Sequence, residues 1–514
     1  MSFDHTAFPY VAPPGLTSPE PRHKVAIVGA GPIGLALAVE LANHGVKCVV
    51  LDDNNAVSFG SRAICWSKRS LEILDRLGVG EQAVAKGVTW KVGRTFHREN
   101  EVFNFDLLPE DGHKMPAFVN LQQYYVEDYL VARCSALGVD LRWKNRVTAV
   151  VQATDHAVVT VETPDGPYQI QADWVVACDG AGSSVRGMLG LDFDGELFEE
   201  RFLIADIEMQ ADFPPERWFW FEPGFHNGQS ALLHKQPDNI YRIDLQLGWN
   251  TDPEVEKLPE RIIPRIEKMV GHCNFKLEWT SIYTFQCRRL RQFVQDRVIF
   301  AGDSAHVVSP FGARGGNGGL QDVDALGWRL AAAVTGRAGS GLLAAYDRER
   351  CFGADENLLN SSRSTRFMSP ADGAERLFRD AVLALAGKVA FARPMVNSGR
   401  LSLPCVYPSQ GADDARLPVA ARPGAAAPDA PLGEAWMSEA LGGEMTLLAL
   451  NCAAPDLGLR TLRPAMTDLL AQRYLGGAGQ AIYLIRPDQV VAARWVQADP
   501  ARIWAAVSAV WEGI

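Results

Sequence analysis

Three glycines near the start of the chain have the spacing needed to bind a phosphate. Gly29, Gly31 and Gly34 form G-x-G-x-x-G between the apolar run VAIV and a segment with helical periodicity. The first glycine of this pattern allows a tight turn, the second lets the backbone approach a pyrophosphate, and the third lets helix and sheet pack closely. Asp52 ends the next apolar run, where an acid can bind ribose hydroxyls. The pattern predicts a dinucleotide site, and its alternative is a purely structural glycine turn.

Two later segments indicate which dinucleotide is bound. CDGAGSSVR (178–186) follows a predicted strand and holds Asp179, with Arg186 seven residues further on. AGDSAHVVSPFGARGGNGGLQDVDAL (301–326) holds Asp303 at a strand end, then a proline and a glycine-rich turn that opens a helix. A plain nicotinamide-binding domain needs neither segment, so the pair favours FAD over NAD.

The glycine-rich turn has a physical use beside a flavin. Reduced flavin is an anion at neutral pH, and a helix that opens at 317–320 would stabilise it by about 0.3–2 kcal/mol through its N-terminal dipole. The alternative interpretation of Gly315, Gly316, Gly318 and Gly319 is a flexible loop, but an amphipathic helix directly after them favours cofactor binding.

Taken together, the motifs at 29–34, 179–186 and 302–319 resemble the group A flavoprotein aromatic hydroxylases, the family of p-hydroxybenzoate, phenol and 3-(3-hydroxyphenyl)propionate hydroxylases. The resemblance covers nearly the whole chain from about residue 24, and the extra C-terminal unit is most similar to the phenol and hydroxyphenylpropionate branch. It implies an α/β fold: a Rossmann-like FAD-binding domain, an inserted antiparallel sheet that faces the substrate, and a thioredoxin-like C-terminal domain. That last domain lacks C-x-x-C here, so packing or homodimer contact is its expected role.

The resemblance also implies roles for individual residues. Besides the glycine motif and Asp52, the implied cofactor-binding residues are Arg62 after the second strand, Gln123 near the flavin phosphates, Asp179 and Gly180 at the pyrophosphate, Arg186 for FAD or the nicotinamide, Asp303 at the ribityl chain, and Pro310, Gly315 and Asn317 beside the isoalloxazine. The chain departs from the family in having Gly312-Ala313 for Gly-Gly, Ser304 for Ala, and Asp52 for Glu.

The implied activity is hydroxylation of a phenol-like small molecule with NADH or NADPH and molecular oxygen, through a flavin C4a-hydroperoxide. The alternatives are an FAD monooxygenase acting on a polyketide or N-heterocycle, a non-catalytic flavoprotein, and a simple NAD-dependent dehydrogenase, which the segment 301–319 argues against. No catalytic acid or base is assigned. Candidates on the inserted sheet for orienting or deprotonating a phenol are His226, His234, Tyr241 and Arg242, each of which is also explained by a structural role.

Two further features allow structural interpretations. The alternating Trp218, Phe219, Trp220 and Phe221 fit a substrate pocket or plain sheet packing equally well. His306 follows the Asp of the G-D pair, and a hydrogen-bonded structural role is the expectation for it.

Hydrophobic periodicity and proline content divide the chain into the elements that must position these residues. The predicted units are a flexible arm (1–22), an FAD-binding domain (23–194 and 291–393), an inserted substrate sheet (195–290), a proline-rich linker (394–434) and the C-terminal domain (435–514).

Composition restricts the partners and the compartment. The net charge of −11 argues against a nucleic-acid footprint. No histidine spacing suggests a metal, and no apolar run approaches the roughly 20 residues of a membrane span. The nine cysteines show no disulfide pattern, and the first residues lack a signal peptide's apolar stretch. We therefore expect a cytoplasmic protein whose partner is a small aromatic substrate.

Overall fold

The structure is a computed structural model that describes residues 3, 5–226, 228–339, 341–370, 373–396 and 401–514. The strands in chain order are β1 His23–Val28, β2 Cys48–Asp52, β3 Cys65–Ser67, β4 Val88–Trp90, β5 Val92–His97, β6 Asn100–Asp106, β7 Phe118–Asn120, β8 Asp140–Trp143, β9 Arg146–Gln152, β10 Ala157–Thr163, β11 Gly166–Ala177, β12 Asp194–Glu208, β13 Arg217–Phe221, β14 Ala231–Lys235, β15 Ile240–Leu247, β16 Lys276–Arg289, β17 Val294–Gln295, β18 Val298–Phe300, β19 His306–Val307, β20 Pro431–Leu432, β21 Ala435–Trp436, β22 Thr446–Leu450, β23 Arg460–Leu462, β24 Ala481–Ile485 and β25 Val491–Trp495. The helices are α1 Pro32–Asn43, α2 Lys68–Arg76, α3 Gly80–Lys86, α4 Gln123–Ala136, α5 Ser184–Met188, α6 Pro253–Glu256, α7 Pro259–Val270, α8 Gly315–Val334, α9 Gly341–Met368, α10 Gly373–Ala386, α11 Arg393–Val396, α12 Met437–Ala440, α13 Asp468–Tyr474 and α14 Pro500–Glu512.

A parallel sheet forms the centre of the first domain. Its parallel strands lie in the order β18-β11-β1-β2-β8, and β9 and β10 add an antiparallel extension beside β11. Both faces are covered, so these strands read as continuous apolar runs rather than alternating ones. Helix α1 packs on α4 and α8, and its apolar residues are almost completely buried. The predicted mixed α/β fold is confirmed.

A second sheet of eight strands lies in the order β19-β16-β12-β15-β14-β13-β5-β6. It extends beyond the predicted insertion at 195–290, because β5 pairs in parallel with β13 and brings β6 with it. Those two strands come from the region that the sequence assigned to the FAD-binding domain. A sheet edge completed from a distant segment leaves no local signature, which is why the periodicity did not place β5 and β6 there.

The first residues pack along the parallel-sheet domain instead of forming the predicted flexible arm. Phe8 stacks on Trp143 with 4.7 Å between ring centroids. Glu20 receives hydrogen bonds from both Nη atoms of Arg142, at 2.8 and 2.7 Å. Residues 1, 2 and 4 of this predicted unit lie outside the described residues.

The predicted linker, described at 394–396 and from 401 on, also makes packing contacts in its second part. The Tyr407 hydroxyl accepts a hydrogen bond from Nη1 of buried Arg350 at 2.7 Å. Leu417 and Ala421 belong to the core of the C-terminal unit. A segment with little regular structure still gains stability by burying its apolar side chains.

The C-terminal unit is a four-stranded mixed sheet in the order β23-β22-β24-β25, flanked by α13 and α14. Buried polar contacts join it to the first domain. Arg69 donates to Oε1 of Gln489 and to Oδ2 of Asp324, both at 2.7 Å. Within the described parts of the chain, no helix is long and apolar enough to cross a membrane.

Candidate cofactor and substrate site

A cavity of about 680 Å³ runs between the carboxyl ends of the parallel strands and one face of the second sheet. All of the predicted cofactor-binding residues line it except Gly34 and Arg186. Residues far apart in the sequence therefore converge on one cleft, at the edge where open α/β sheets bind their ligands.

Each glycine of the first motif has the geometry expected for it. Gly29 has φ of +104°, a conformation that side chains disfavour, and a Cβ there would meet the Cys178 carbonyl oxygen at 2.6 Å. A Cβ on Gly34 would lie 1.9 Å from the Gly29 oxygen, so this glycine allows α1 to pack against the turn. Gly31 lines the cavity and has nothing within 4 Å of a Cβ position, which leaves room for a ligand at the N-terminus of α1.

Asp52 lines the cavity, but both of its carboxylate oxygens already accept backbone hydrogen bonds. The Ala30 amide donates to Oδ2 at 2.6 Å, and the Asn54 amide donates to Oδ1 at 2.8 Å. Burial raises the pKa of Asp52, against the lowering effect of these two amides. The carboxylate thus holds the turn after Gly29 in place at the wall of the cavity.

The Asp-Gly segment is arranged around Asp179. This carboxylate accepts hydrogen bonds from the Ser183 hydroxyl at 2.6 Å and from the Val185 amide at 3.1 Å, which fixes the turn before α5. Gly180 has φ of +79°, lines the cavity, and has open space where a Cβ would be. The turn therefore presents backbone to the cavity instead of side chains.

Arg186 does not reach the cavity, which differs from the expectation. Its Nη2 donates to the Ala181 carbonyl at 2.7 Å and its Nη1 to the Ser304 carbonyl at 3.2 Å. The guanidinium also stacks on Phe193, 3.9 Å from the ring centroid. These contacts use the side chain to join two turns, so Arg186 acts on the site only by positioning them.

Gln123 also works through other residues. Its Nε2 donates to Glu127 at 2.8 Å, and its Oε1 accepts from the Ala63 amide at 3.2 Å. Glu127 in turn accepts from the Ser58 amide at 2.7 Å. This partly buried network shapes the loop that carries Arg62 to the cavity.

The glycine-rich turn and α8 form the opposite wall. Helix α8 begins at Gly315, two residues before the predicted opening, and its first turn lines the cavity together with Asp303 and Pro310. The Asn317 side chain accepts from the Ser67 amide at 2.9 Å and donates to the Cys65 carbonyl at 2.8 Å. The side chain of Asn317 is therefore used to hold β3 against the start of α8.

Ala313 has φ of +52°, in the left-handed region that favours glycine. This explains why the family commonly has a second glycine at this position. The strain lies in the turn that lines the cavity, where unfavourable backbone conformations are often functional.

His306 is structural, as expected. Its Nε2 lies 2.7 Å from Oδ2 of Asp322, which also accepts from the Gly302 amide at 2.8 Å. Arg350 donates from Nε to Oδ1 of Asp322 at 2.6 Å. Burial alone would raise the pKa of Asp322, but His306 and Arg350 outweigh it and hold that pKa below its ordinary value.

The second sheet contributes a charged face to the far end of the cavity. Strand register places Arg217 beside His234, His234 beside Arg242, and Arg242 beside Asp206. Asp244 lies on the same face, two residues after Arg242 along β15. The apolar and aromatic side chains that complete this end are Trp90, Phe202, Ile204, Leu232, Tyr283, Phe311 and Leu401.

Burial sets the protonation of this face. Burial and the neighbouring Arg217 and Arg242 lower the pKa of His234 well below its usual value, so the imidazole is neutral. Burial raises the pKa of Asp244 to about 6, although Arg242 and Arg217 act in the opposite direction. The wall combines two cationic side chains with an acid that ionises close to neutral pH.

The sequence interpretation identified His234 and Arg242 as candidates but missed Arg217 and Asp244. The alternation of side chains along a strand could have predicted both. Arg217 lies on the same face of β13 as the apolar Phe219, and Asp244 lies on the same face of β15 as the candidate Arg242. His226 and Tyr241 do not line the cavity. The His226 Nε2 lies 2.7 Å from the Gln246 carbonyl, and the Tyr241 hydroxyl donates to the Ala211 carbonyl at 2.8 Å.

The alternating aromatics of β13 are explained by packing. Trp218 and Trp220 pack around Phe96, with centroid distances of 5.4 and 5.2 Å, and Phe219 and Phe221 belong to an aromatic core. None of these four residues lines the cavity.

Three further residues that the sequence analysis did not predict line the end of the cavity near Asp52. Asn145, Arg146 and Val147 follow the parallel strand β8 and line the cavity. The Asn145 amide donates to the Asp52 carbonyl at 2.7 Å. The signal was available, since ligands of open α/β sheets contact residues that follow the carboxyl ends of parallel strands. Across the described residues, no cluster of His, Cys, Asp or Glu side chains could hold a metal ion.

This parallel sheet, with glycine turns at its carboxyl edge around one long cavity, defines a dinucleotide-binding α/β protein. A family model described as an FAD binding domain matches residues 22–360. The chain belongs to this family and is an FAD-dependent monooxygenase, for which NAD(P)H and oxygen are the typical co-substrates. The predicted family and cofactor are therefore confirmed.

Individual relatives agree with this assignment. A 12-dehydrotetracycline 5-monooxygenase/anhydrotetracycline 6-monooxygenase of Streptomyces rimosus is 30% identical over 491 residues, covering 91% of this chain and 94% of that protein. A 3-(3-hydroxy-phenyl)propionate/3-hydroxycinnamic acid hydroxylase of Mycolicibacterium smegmatis is 28% identical over 365 residues, covering 70% of this chain and 64% of that protein. The flavin-dependent monooxygenase PieE, solved with FAD and substrate, has a TM-score of 0.80 at 20% identity and covers 97% of this chain and 100% of that one. This last likeness concerns the fold.

Proposed function

We propose that the chain hydroxylates an aromatic small molecule that bears a ring hydroxyl, with FAD held in the cavity between the two sheets. The observation that carries the proposal is the continuity of this cavity. One end is built from glycine turns that leave room for a pyrophosphate, and the other is a sheet face with aromatic, apolar and charged side chains.

The residues at the cofactor end fit FAD. Gly31, Gly180 and Gly182 line the cavity and have open space where a Cβ would stand, so the backbone can approach a phosphate closely. We assign the pyrophosphate to this turn and the N-terminus of α1, the ribose to Asp52, the ribityl chain to Asp303, and the isoalloxazine to Arg62, Pro310 and the start of α8.

FAD, when bound, supplies the activation of oxygen with electrons from NAD(P)H. The chain's own task is to hold the substrate ring and exclude water from it. Phe202, Leu232 and Phe311 provide the apolar contacts for the ring. Arg217, His234, Arg242 and Asp244 provide the polar contacts that orient its hydroxyl.

A polyketide is a second candidate substrate, and one observation favours it. The relative named for tetracycline intermediates matches nearly the whole chain, whereas the hydroxyphenylpropionate relative matches 70% of it. The similarity to the tetracycline enzyme thus extends over more of the chain than the similarity to the hydroxyphenylpropionate enzyme. The charged face can orient a hydroxyl of either substrate.

Oxygen uptake tests the proposal. Purified protein should show flavin absorbance and should consume oxygen with NADH or NADPH when a suitable aromatic is added. The panel should include phenols, hydroxybenzoates, hydroxyphenylalkanoates and anhydrotetracycline, and the product should gain the mass of one oxygen atom. Flavin binding without ligand-dependent oxygen uptake would instead support a non-catalytic flavoprotein.

Three further assignments belong to this proposal. The mixed sheet and flanking helices of 435–514 support a thioredoxin-like unit that acts in packing, since it has no C-x-x-C. The nine unpaired cysteines support a reducing compartment such as the cytoplasm. Homodimer formation stays a prediction that sedimentation would test.

A further inference from the structure

Asp244 has an unused hydrogen-bond acceptor at the substrate end of the cavity. Its side chain lines the cavity, and its Oδ1 atom is buried with no hydrogen-bond partner among the described residues. A buried carboxylate oxygen without a donor is destabilising, because it has lost water and gained nothing in exchange. The Asp244 side chain as a whole is only partly buried and lines the cavity, so a ligand there can approach the carboxylate and supply the missing donor.

The surrounding charges define which ligand group fits. Arg242 is already held by Asp206 through two hydrogen bonds, and Arg217 lies one strand beyond His234. A cationic ligand would be repelled by the two arginines, and a carboxylate placed at Asp244 would be repelled by the acid itself. A neutral donor whose proton is acidic satisfies both conditions, and an aromatic hydroxyl is such a group.

We propose that Asp244 accepts the hydroxyl of the aromatic substrate and removes its proton, an inference that rests on the proposed function. In this step the substrate O–H bond breaks, an O–H bond forms on the Asp244 carboxylate, and the electron pair stays on the substrate oxygen. The resulting oxyanion makes the ring more electron-rich ortho and para to it. Arg217 and Arg242 supply positive charge near that oxygen. His234 is neutral and adds no charge of its own.

A general base works best when its pKa lies near the working pH. Burial raises the pKa of Asp244 to about 6, with Arg242 and Arg217 lowering it and Asp206 raising it. The carboxylate is thus ionised at neutral pH and still basic enough to hold a proton. The rate of substrate-dependent oxygen uptake should fall as the pH drops below about 6, where Asp244 becomes protonated.

A chromogenic ligand pair tests the proposal on the FAD-loaded protein without reductant. p-Nitrophenol changes its visible absorption when its hydroxyl ionises, and nitrobenzene is the same ring without the hydroxyl. The wild type should bind p-nitrophenol in ionised form at a pH where the free compound is mostly neutral. It should prefer p-nitrophenol over nitrobenzene by at least about tenfold, as sites built around a substrate hydroxyl do.

Asp244→Asn keeps the shape and removes the base. We expect loss of the ionised spectrum, loss of the preference for p-nitrophenol, and disappearance of the acidic limb of the rate profile. We also expect a higher melting temperature, because burial makes the Asp244 charge unfavourable on balance despite the two arginines; a merely structural aspartate would give a lower one. Asp244→Glu should restore part of the spectral change, and Asp212→Asn, an exposed acid before β13, is the matched control.

The outcomes separate this proposal from the one it rests on. An unchanged spectrum and pH profile in Asp244→Asn would overturn the role of Asp244, as would a wild type that binds neither p-nitrophenol nor anhydrotetracycline. If the probe ionises through Asp244 but no aromatic of the panel stimulates oxygen uptake, the hydroxylase function fails while the hydroxyl-binding site stands.

Discussion

Asp206 holds Arg242 by two parallel hydrogen bonds, from Nε to Oδ1 at 2.8 Å and from Nη2 to Oδ2 at 2.7 Å. Both side chains are buried, so each charge depends on the other. The third nitrogen of Arg242 donates to the Arg62 carbonyl at 3.2 Å, which connects the substrate wall to the loop on the cofactor side. The pair therefore sets the geometry where the two ends of the cavity meet.

Asp206→Ala should destabilise the protein by about 3–5 kcal/mol, because Arg242 is left as a buried, unpaired charge. Urea unfolding at neutral pH measures this. The matched control is Glu196→Ala on the same strand, whose partner Arg366 is exposed and whose loss should cost at most about 1 kcal/mol. Equal losses in the two variants would show that the Asp206–Arg242 pair has no special role.

Gly31 and Gly34 should respond differently to a side chain. Gly31→Val has room in the protein but fills the space assigned to the pyrophosphate, so the fold should persist while FAD affinity falls at least tenfold. Gly34→Ala places a Cβ 1.9 Å from the Gly29 oxygen and should lower the melting temperature itself. Flavin titration and circular dichroism distinguish the two effects, and wild-type FAD affinity in Gly31→Val would contradict the assignment.

Ala313→Gly should stabilise the protein by up to about 1 kcal/mol. A left-handed conformation costs an L-residue about 1–2 kcal/mol, and the extra freedom of glycine in the unfolded chain returns only part of that. Ala333→Gly within α8 is the control and should cost about 0.5–1 kcal/mol. Thermal melts should show a higher melting temperature for Ala313→Gly and a lower one for Ala333→Gly. A lower melting temperature for Ala313→Gly would show that the backbone at Ala313 is not strained.

Glu349 should contribute stability that depends on pH. Burial would raise its pKa, but Arg329 and Arg486, at 2.8 and 2.6 Å, outweigh burial and hold the pKa below its ordinary value. A carboxyl with a lowered folded pKa stabilises fully above its unfolded pKa near 4.5, and this contribution is lost as the pH falls through the folded value.

Glu349→Gln should therefore be less stable than the wild type by about 1.5–3 kcal/mol at pH 7, since Arg329 and Arg486 lose one charged partner and keep Asp488. The difference should narrow as the pH is lowered below about 4.5. Urea unfolding between pH 7 and about pH 3 measures both, and a difference that stays constant over this range would exclude this role for Glu349.

Local sequence patterns were enough to predict several features of the site. The positive φ of Gly29 and the contact of Gly34 with the Gly29 oxygen belong to one short turn, so the glycine spacing was enough to predict them. Arg186 differed because its partners are the Ala181 and Ser304 carbonyls, and the second of these is distant in the chain.

The amino-acid sequence by itself determined the α/β fold, the FAD motifs and the family, because glycine spacing and hydrophobic period report on short-range geometry. The tertiary structure alone decided that β5 and β6 complete the second sheet and that Arg217, His234 and Arg242 form one row with Asp244 beside it. The register between strands sets such neighbours, and a shift of one residue would turn every side chain to the other face. That register comes from the packing of the whole sheet, which no single strand encodes.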